Sequence, residues 1–327
     1  MAKTLRIGLV GLGGMGTVHL NNYARLEDCA VTAVCDASPA AAEKARAAGL
    51  PLFSTVEEML ERADVDVVDV CTPTFLHPAA VSAALEAGRH VICEKPLALT
   101  RAEAQAMYDL AGAKGVQLLV GHVLQYAPVS KVLRTLVRDG TYGKLLDGQF
   151  LRLSACPRWV KGGWLFDKAK SGHIPFDLHI HDLDLLISLL GKPDTYNFTC
   201  AGRAGLDYRE HYRFSYRFGE TTVSAEAAWF NADIPFTATW RACFEEAVVV
   251  CDEHGVTAYQ FDHPPKQFDI SEPLLIPTGI NLPPTGMFHE ELGEFLNIIR
   301  TAPRGPIPRR EEILTLIGIL EEIARDS

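Results

Sequence analysis

The sequence predicts a parallel α/β domain followed by a second α/β domain built on a large, mostly antiparallel open sheet. Three observations predict this fold class. An apolar strand runs straight into a cluster of glycines. Short apolar runs then alternate with helix-like segments as far as residue 122. From residue 195 the chain changes to period-two stretches separated by short turns. A chain of 327 residues has room for two domains. The boundary is drawn at 1–122 and 123–327, with the C-terminal helices packing back on the first domain.

The elements follow in order. Residues 5–10 read as a buried strand, followed by Gly11-Leu12-Gly13-Gly14-Met15-Gly16 and an amphipathic helix to about Arg25. This is the G-x-G-x-x-G pattern in its strand–turn–helix setting, which suits a dinucleotide. Gly11 permits the tight turn, Gly13 lets the backbone approach a pyrophosphate, and Gly16 lets the helix pack closely on the sheet. A second strand, 31–35, ends at Asp36, whose carboxylate is placed to accept from the adenosine ribose hydroxyls and to repel a 2′-phosphate. No Arg or Lys follows before Lys44, so NAD is expected rather than NADP. Helices at 39–48 and about 55–62 flank the short apolar segment near Phe53, and a strand covers 65–71. Pro78 fits the first turn of the next helix, which Gly88 closes. A strand at 90–93 reaches Glu94-Lys95-Pro96, a helix spans about 99–114, and 116–120 forms another strand. Ligands of such a parallel sheet lie beyond the carboxyl ends of its strands, so His77 and Lys95 are expected to face the nicotinamide side.

In the second domain a helix at 127–138 and a strand at 145–153 lead to a loop containing Trp159 and Trp164. After Ser171-Gly172-His173, a helix carries Asp177, His179, His181, Asp182 and Asp184 to about Leu190, and Gly191 closes it. Strands follow at 195–201, 209–218, 221–230, 237–244, 246–251 and 256–261, with Gly219-Glu220 as a hairpin turn. Residues 262–284 are rich in Pro and read as irregular, and helices at 286–301 and 310–325 end the sequence. Too few helices remain to cover both faces of so large a sheet. The spare face is a candidate interface for a homodimer or homotetramer.

Composition narrows the function classes. The formal net charge of -10 argues against a polyanionic partner such as nucleic acid, which needs clustered Lys and Arg. The run 5–10 is too short for the apolar core of a signal peptide, and no apolar stretch is long enough to span a bilayer. The eight cysteines are scattered without Cys-x-x-Cys spacing, which suits a reducing, cytoplasmic setting.

Asp177 and His181 are four residues apart and share a helix face. A histidine there is suited to taking a proton near neutral pH, with the carboxylate orienting its ring. Lys95 is suited to holding a substrate oxygen and stabilising negative charge that develops on it. His179 and His181 point about 200° apart on a helix, so one ion cannot readily take both, and no metal is expected.

The motifs in order resemble those of the Gfo/Idh/MocA oxidoreductases: the glycine loop 11–16, Cys71-Thr72-Pro73-Thr74 with His77, residues 87–97 around Glu94-Lys95-Pro96, and Ile180-His181-Asp182-Leu183-Asp184. The resemblance covers nearly the whole chain. It implies an N-terminal Rossmann domain, a C-terminal α/β domain whose open sheet packs in oligomers, and NAD as cofactor. It further implies catalytic roles for Lys95, Asp177 and His181, and cofactor contacts from Gly11, Gly13, Gly14, Met15, Gly16, Asp36, Cys71, Thr72, Pro73, His77, Glu94 and Lys95. The bond between Lys95 and Pro96 is expected to be cis. The chain departs from the family in having Ser171-Gly172-His173 where three glycines are common, and His122 with Gln125-Tyr126 where an arginine near a phenylalanine is common. A substrate site drawn from Lys95, His122, Gln125, Tyr126, Trp159, Trp164, His173, Asp177 and His181 suits a hydroxyl-rich ring. The expected reaction is hydride transfer from a secondary hydroxyl of a sugar or cyclic polyol to NAD, with His181 as general base. The alternatives are a glycosidase using NAD transiently, and a nucleotide-sensing regulatory protein, which would have no need of a positioned base.

Overall fold

The structure is a computed structural model describing residues 4–327; residues 1–3 of the expected first domain lie outside it. The chain forms two compact units, residues 1–126 with 272–310, and residues 127–271 with 311–327. The chain thus leaves the first unit at 126 rather than 122. The last two helices divide between the units.

In the first unit β1 (Leu5–Val10), α1 (Gly14–Tyr23), β2 (Cys29–Cys35), α2 (Pro39–Ala47), β3 (Leu52–Phe53), α3 (Val56–Arg62), β4 (Val67–Val70), α4 (His77–Glu86), β5 (His90–Glu94), α5 (Arg101–Lys114) and β6 (Leu118–Gly121) alternate as the sequence predicts. The six strands are all parallel in the order β3-β2-β1-β4-β5-β6. β1 and β4 are the central switch point, where strand order reverses and a crevice opens at the carboxyl ends.

The second unit begins with α6 (Pro128–Asp139) and β7 (Leu145–Ala155), followed by the short α7 (Lys168–Ser171). A single π-helical turn, Pro175–His179, feeds α8 (Ile180–Leu190). The expected continuous helix from the histidine–aspartate segment therefore starts with a widened turn. Then come β8 (Thr195–Ala201), β9 (His211–Phe218), β10 (Thr221–Phe230), β11 (Thr237–Phe244), β12 (Val248–Asp252), β13 (Gly255–Tyr259) and β14 (Lys266–Phe268). The last of these is a short strand inside the stretch read as irregular. The eight-stranded order is β14-β13-β12-β11-β7-β10-β9-β8, antiparallel except for the central pair β7 and β10.

α9 (Met287–Thr301) belongs with the first unit and α10 (Arg310–Asp326) almost wholly with the second. Leu292, Phe295, Leu296 and Ile299 of α9 pack with Tyr23 of α1 on Leu5, Ile7, Val67, Ile92 and Leu119 of the parallel sheet. Each such side chain contributes about 1.5–3 kcal/mol when fully buried. The other sheet face packs Leu9 and Val34 against Ala41 and Ala45 of α2.

Period two in β9 has the expected result. Tyr212, Phe214, Tyr216 and Phe218 are buried, while Arg213, Ser215 and Arg217 are exposed. The outward face of the large sheet, including Gln149, Leu151, Thr222, Ser224 and Glu226, stays exposed or half-exposed in the chain.

Candidate active site

The functional side chains of the first unit sit just past the carboxyl ends of its strands. Gly11 follows β1 with φ at +90°, and a Cβ there would lie 2.9 Å from the Cys71 backbone. A Cβ on Gly16 would meet the Gly11 carbonyl oxygen at 1.9 Å, so α1 can approach the turn only with glycine at that position. Gly13 has open space around its Cβ direction, with nothing within 4 Å. It caps α1 without a side-chain hydrogen bond, leaving the N–H groups of the first turn for an anion. Asp36, just after β2, accepts from the amides of Leu12 and Ser38, each at 2.7 Å, which fixes the half-buried carboxylate beside the loop. The Thr72 hydroxyl is buried at the end of β4 with no hydrogen-bond partner among the described residues. An open backbone cradle, a fixed carboxylate and an orphaned hydroxyl fit a bound dinucleotide.

Two features of this region were not foreseen. Lys44, which sequence distance set apart from the loop, brings its amine to 2.9 Å from Thr17 Oγ1 and 3.2 Å from the Leu12 carbonyl. In addition, the side chain of Ile280, from the Pro-rich stretch, lies 3.2 Å from where a Cβ on Gly14 would be.

Behind the strand ends is a buried polar cluster. His19 of α1 is wholly buried, with Nδ1 2.7 Å from Asp69 Oδ2 and Nε2 3.1 Å from Glu94 Oε1. The Tyr23 hydroxyl donates to the same Asp69 oxygen at 2.9 Å, and Lys95 N donates to Glu94 Oε2 at 3.1 Å. Burial works against a proton on His19, but the charge and hydrogen bond of Asp69 oppose it, and the ring is lifted well above the usual histidine value. Burial likewise opposes charge on Glu94, yet the His19 hydrogen bond and charge, with Lys95, hold its carboxyl below the usual range. Cys71 Sγ is 3.4 Å from His19 Nδ1, and burial followed by Asp69 pushes the thiol far up. His19, Asp69 and Cys71 could group around a cation by distance alone, all ligand atoms lying within 4.8 Å.

The turn after β5 contains a cis bond between Lys95 and Pro96, as expected. Lys95 is the one residue of 91–98 that is not buried. His77 does not reach outward as expected: it is 1% exposed, with Nδ1 2.7 Å from the Pro96 carbonyl and Nε2 2.8 Å from the Thr72 carbonyl. It ties the turns after β4 and β5 together. His122 and Gln125, past β6, are buried. Tyr126 is turned toward α9. It meets Phe295 edge-on at 6.4 Å, and its hydroxyl bonds Glu294; burial, Glu291 and Glu294 raise its pKa. That hydroxyl is therefore tied to α9 within the first unit.

In the second unit Asp177 lies in the π-helical turn, a feature frequent at functional sites, and His181 in the first turn of α8. Asp177 and His181 are the only residues of 171–187 that escape burial. The side chains around them are tightly held. Arg152 of β7 grips Asp182 through two bonds of 3.0 and 2.7 Å, both side chains being buried. Asp182, in the first turn of α8, thus serves a buried ion pair. His179 stacks on Phe214 at 3.7 Å and 7°, and its Nε2 is 2.7 Å from the Tyr216 hydroxyl. Burial and the nearby Arg152 push His179 down to about 3, so it is neutral.

His173 has φ at +58°, rare for a side chain with a Cβ, directly after Gly172 at +67°. Its ring donates to the backbone carbonyl of Phe166, lies 5.8 Å from Tyr208, and leaves Nε2 buried without a partner among the described residues. Trp164 is half-buried, whereas Trp159 is 73% exposed on its loop rather than set in a wall.

A parallel dinucleotide-type sheet joined to an open-sheet domain with an acid–histidine pair defines a two-domain nucleotide-binding α/β protein. Two sequence models of one family match it domain by domain: the oxidoreductase family with NAD-binding Rossmann fold over residues 5–122, and the GFO/IDH/MocA C-terminal domain over residues 131–249. The chain belongs to the Gfo/Idh/MocA oxidoreductase family, and its first unit is that family's NAD-binding Rossmann fold. Among curated relatives, levoglucosan dehydrogenase of Pseudarthrobacter phenanthrenivorans is 32% identical over 203 residues, 58% of this chain and 52% of that protein. D-glucoside 3-dehydrogenase of Escherichia coli is 33% identical over 198 residues, 59% and 56% of the two chains. Inositol 2-dehydrogenase of Rhizobium meliloti is 32% identical over 192 residues, 58% and 56%. The matches thus span a little over half the length of these relatives. Among solved structures, levoglucosan dehydrogenase with NADH and levoglucosan has a TM-score of 0.83 at 23% identity, covering 99% of this chain and 96% of that one. Aldose–aldose oxidoreductase from Caulobacter crescentus has the same score and identity, covering 99% and 97%. Both share the fold.

Proposed function

We propose that this protein is an NAD-dependent dehydrogenase that oxidises a secondary hydroxyl of a sugar or cyclic polyol. The observation that carries the reading is selective exposure. Lys95 alone in 91–98, and Asp177 and His181 alone in 171–187, are only half-buried within otherwise buried segments. NAD supplies the hydride acceptor. His181 takes the hydroxyl proton, Asp177 orients and steadies its ring, and Lys95 holds the oxygen as charge develops on it. His173, His122, Gln125 and Trp164 are assigned to the substrate, with the bare Nε2 of His173 as a hydroxyl acceptor. Levoglucosan, inositol and glucoside, named for the relatives, are all hydroxyl-rich rings, which supports the substrate class.

Asp36 favours NAD over NADP, because a carboxylate fixed beside the loop repels a 2′-phosphate. All eight cysteines are free, which supports a cytoplasmic setting. No helix among the described residues is long and apolar enough to cross a membrane. The exposed face of the large sheet is assigned to a homodimer or homotetramer interface, checked by light scattering.

The test is reduced-nicotinamide absorbance with NAD or NADP and a panel of inositols, hexoses, anhydrosugars and glycosides. Turnover with NAD and a ring polyol is expected. Turnover with NADP alone would refute the reading of Asp36. Sugar release from a glycoside without net reduction would replace the dehydrogenase reading with a glycosidase.

A further inference from the structure

His19 has no part in the chemistry proposed above, yet it links Asp69, Glu94 and Cys71 in the first unit's polar interior. Its ring faces a carboxylate oxygen on each nitrogen, Asp69 on Nδ1 at 2.7 Å and Glu94 on Nε2 at 3.1 Å. Ionised carboxylates only accept hydrogen bonds, so both ring nitrogens must donate, and only an imidazolium has two N–H groups. Further donors reach the same carboxylates, including the Cys71 thiol at 3.7 Å from Asp69 Oδ1. Asp69 Oδ2 receives the Tyr23 hydroxyl, and Glu94 Oε2 receives the main-chain amide of Lys95. Glu94 is therefore held from both sides, by a cation below and by the Lys95 backbone above.

We propose that His19 is a positioning residue, held as an imidazolium between Asp69 and Glu94, which fixes the Glu94 carboxylate and through it the main chain at Lys95. The inference rests on the assignment of Lys95 to the substrate oxygen. Two buried carboxylates on neighbouring strands would otherwise repel, and one would take up a proton. A protonated Glu94 offers one acceptor oxygen fewer and a donor of its own, which frees the Lys95 amide to shift. The ring is enclosed by Tyr23 on its own helix, Asp69 of β4, Cys71 just past that strand, Glu94 from β5, and the Phe288 ring of α9 at 6.2 Å. Tyr23 and Cys71 both stay neutral, burial and Asp69 pushing their pKa values up. The positive charge therefore comes from His19.

The test uses the full chain labelled with nitrogen-15 histidine, and the variants His19→Gln, Glu94→Gln and Lys95→Ala. Long-range proton–nitrogen spectra are expected to show both His19 nitrogens protonated from about pH 6 to about pH 8, well past the ordinary histidine titration. A neutral tautomer in that range overturns the proposal, whatever the variants do, so the result stands even if His19→Gln fails to fold. His19→Gln and Glu94→Gln are each expected to lower kcat by about 10- to 100-fold, because a misplaced group far from the chemistry costs that much. KM for the sugar, and the NAD dissociation constant read from tryptophan quenching, should move less than about threefold, a split that general loosening of the fold would not give. If Lys95→Ala loses turnover while both other variants keep kcat within about twofold, the positioning role is refuted and the reading of Lys95 stands. If Lys95→Ala keeps full turnover, the reading of Lys95 falls and the positioning role with it.

Discussion

The two units each set a half-buried polar side chain near a wholly buried histidine, and they do so by opposite physics. Beneath Lys95, His19 is clamped by two carboxylates and carries a charge. Beside His181, His179 lies flat on Phe214, bonds a tyrosine hydroxyl and is neutral. Both rings are equally removed from water. Burial alone therefore does not set the charge of a histidine; the partner groups do. The first arrangement is specific but depends on charge balance, whereas the second depends on packing.

The largest effects should come from removing these half-buried groups. Changing His181 to Ala is expected to lower kcat/KM by about 10²–10⁴, the usual loss of a general base. Lys95→Ala should lose about 10²–10³, as for a lost electrostatic donor. If sugar oxidation followed by nicotinamide absorbance is unaffected in either variant, the comparison loses one of its sides.

Stability against pH tests the pair directly, and the signs are opposed. His19 has a folded pKa above 6.5, so its stabilisation is complete below 6.5 and is lost as pH rises through the folded value. His179 has its folded pKa lowered to about 3, so between 6.5 and about 3 the unfolded chain binds a proton that the folded chain refuses. Stability should fall on that acid side by up to about 1.4 kcal/mol per pH unit from this group. Urea unfolding of wild type and His179→Phe from acid to alkaline pH should show a shallower acid limb in the variant. An unchanged acid limb would contradict a neutral His179.

At neutral pH, His179→Phe should still lose about 1–3 kcal/mol, since the Tyr216 hydroxyl is left buried without its partner. The smallest effect is expected from Tyr23→Phe, which removes one of two donors on Asp69 Oδ2 and should cost about 1 kcal/mol in the same experiment. A loss as large as that of His179→Phe would mean that Tyr23, rather than His19, holds Asp69.

Much of this arrangement was legible in the sequence because it is local. The glycine loop carries its turn chemistry within six residues, and the period-two pattern of β9 and β10 gives their faces without reference to neighbours. The His19 cluster was not legible. Its partners are 50 and 75 residues away, on strands whose adjacency is a property of the sheet order. Lys44 was set aside by counting along the chain, although α2 carries its amine back to the loop. The π-helical turn at 175–179 was hidden because hydrogen-bond register leaves no mark on an apolar pattern. The bond from the Tyr126 hydroxyl to Glu294 was hidden as the His19 cluster was, since its partner lies far along the sequence.

The placement of α9 has a consequence for how the protein is made. Leu5, Ile7, Val67, Ile92 and Leu119 receive their cover of Leu292, Phe295, Leu296 and Ile299 from a helix encoded after the whole large sheet. On the ribosome, the nucleotide-binding sheet therefore waits with one apolar face uncovered while some 160 further residues emerge, roughly ten to thirty seconds at ordinary elongation rates. A fragment cut at the unit boundary would keep that face permanently bare. Expressing the nucleotide-binding unit alone calls for splicing α9 back onto it.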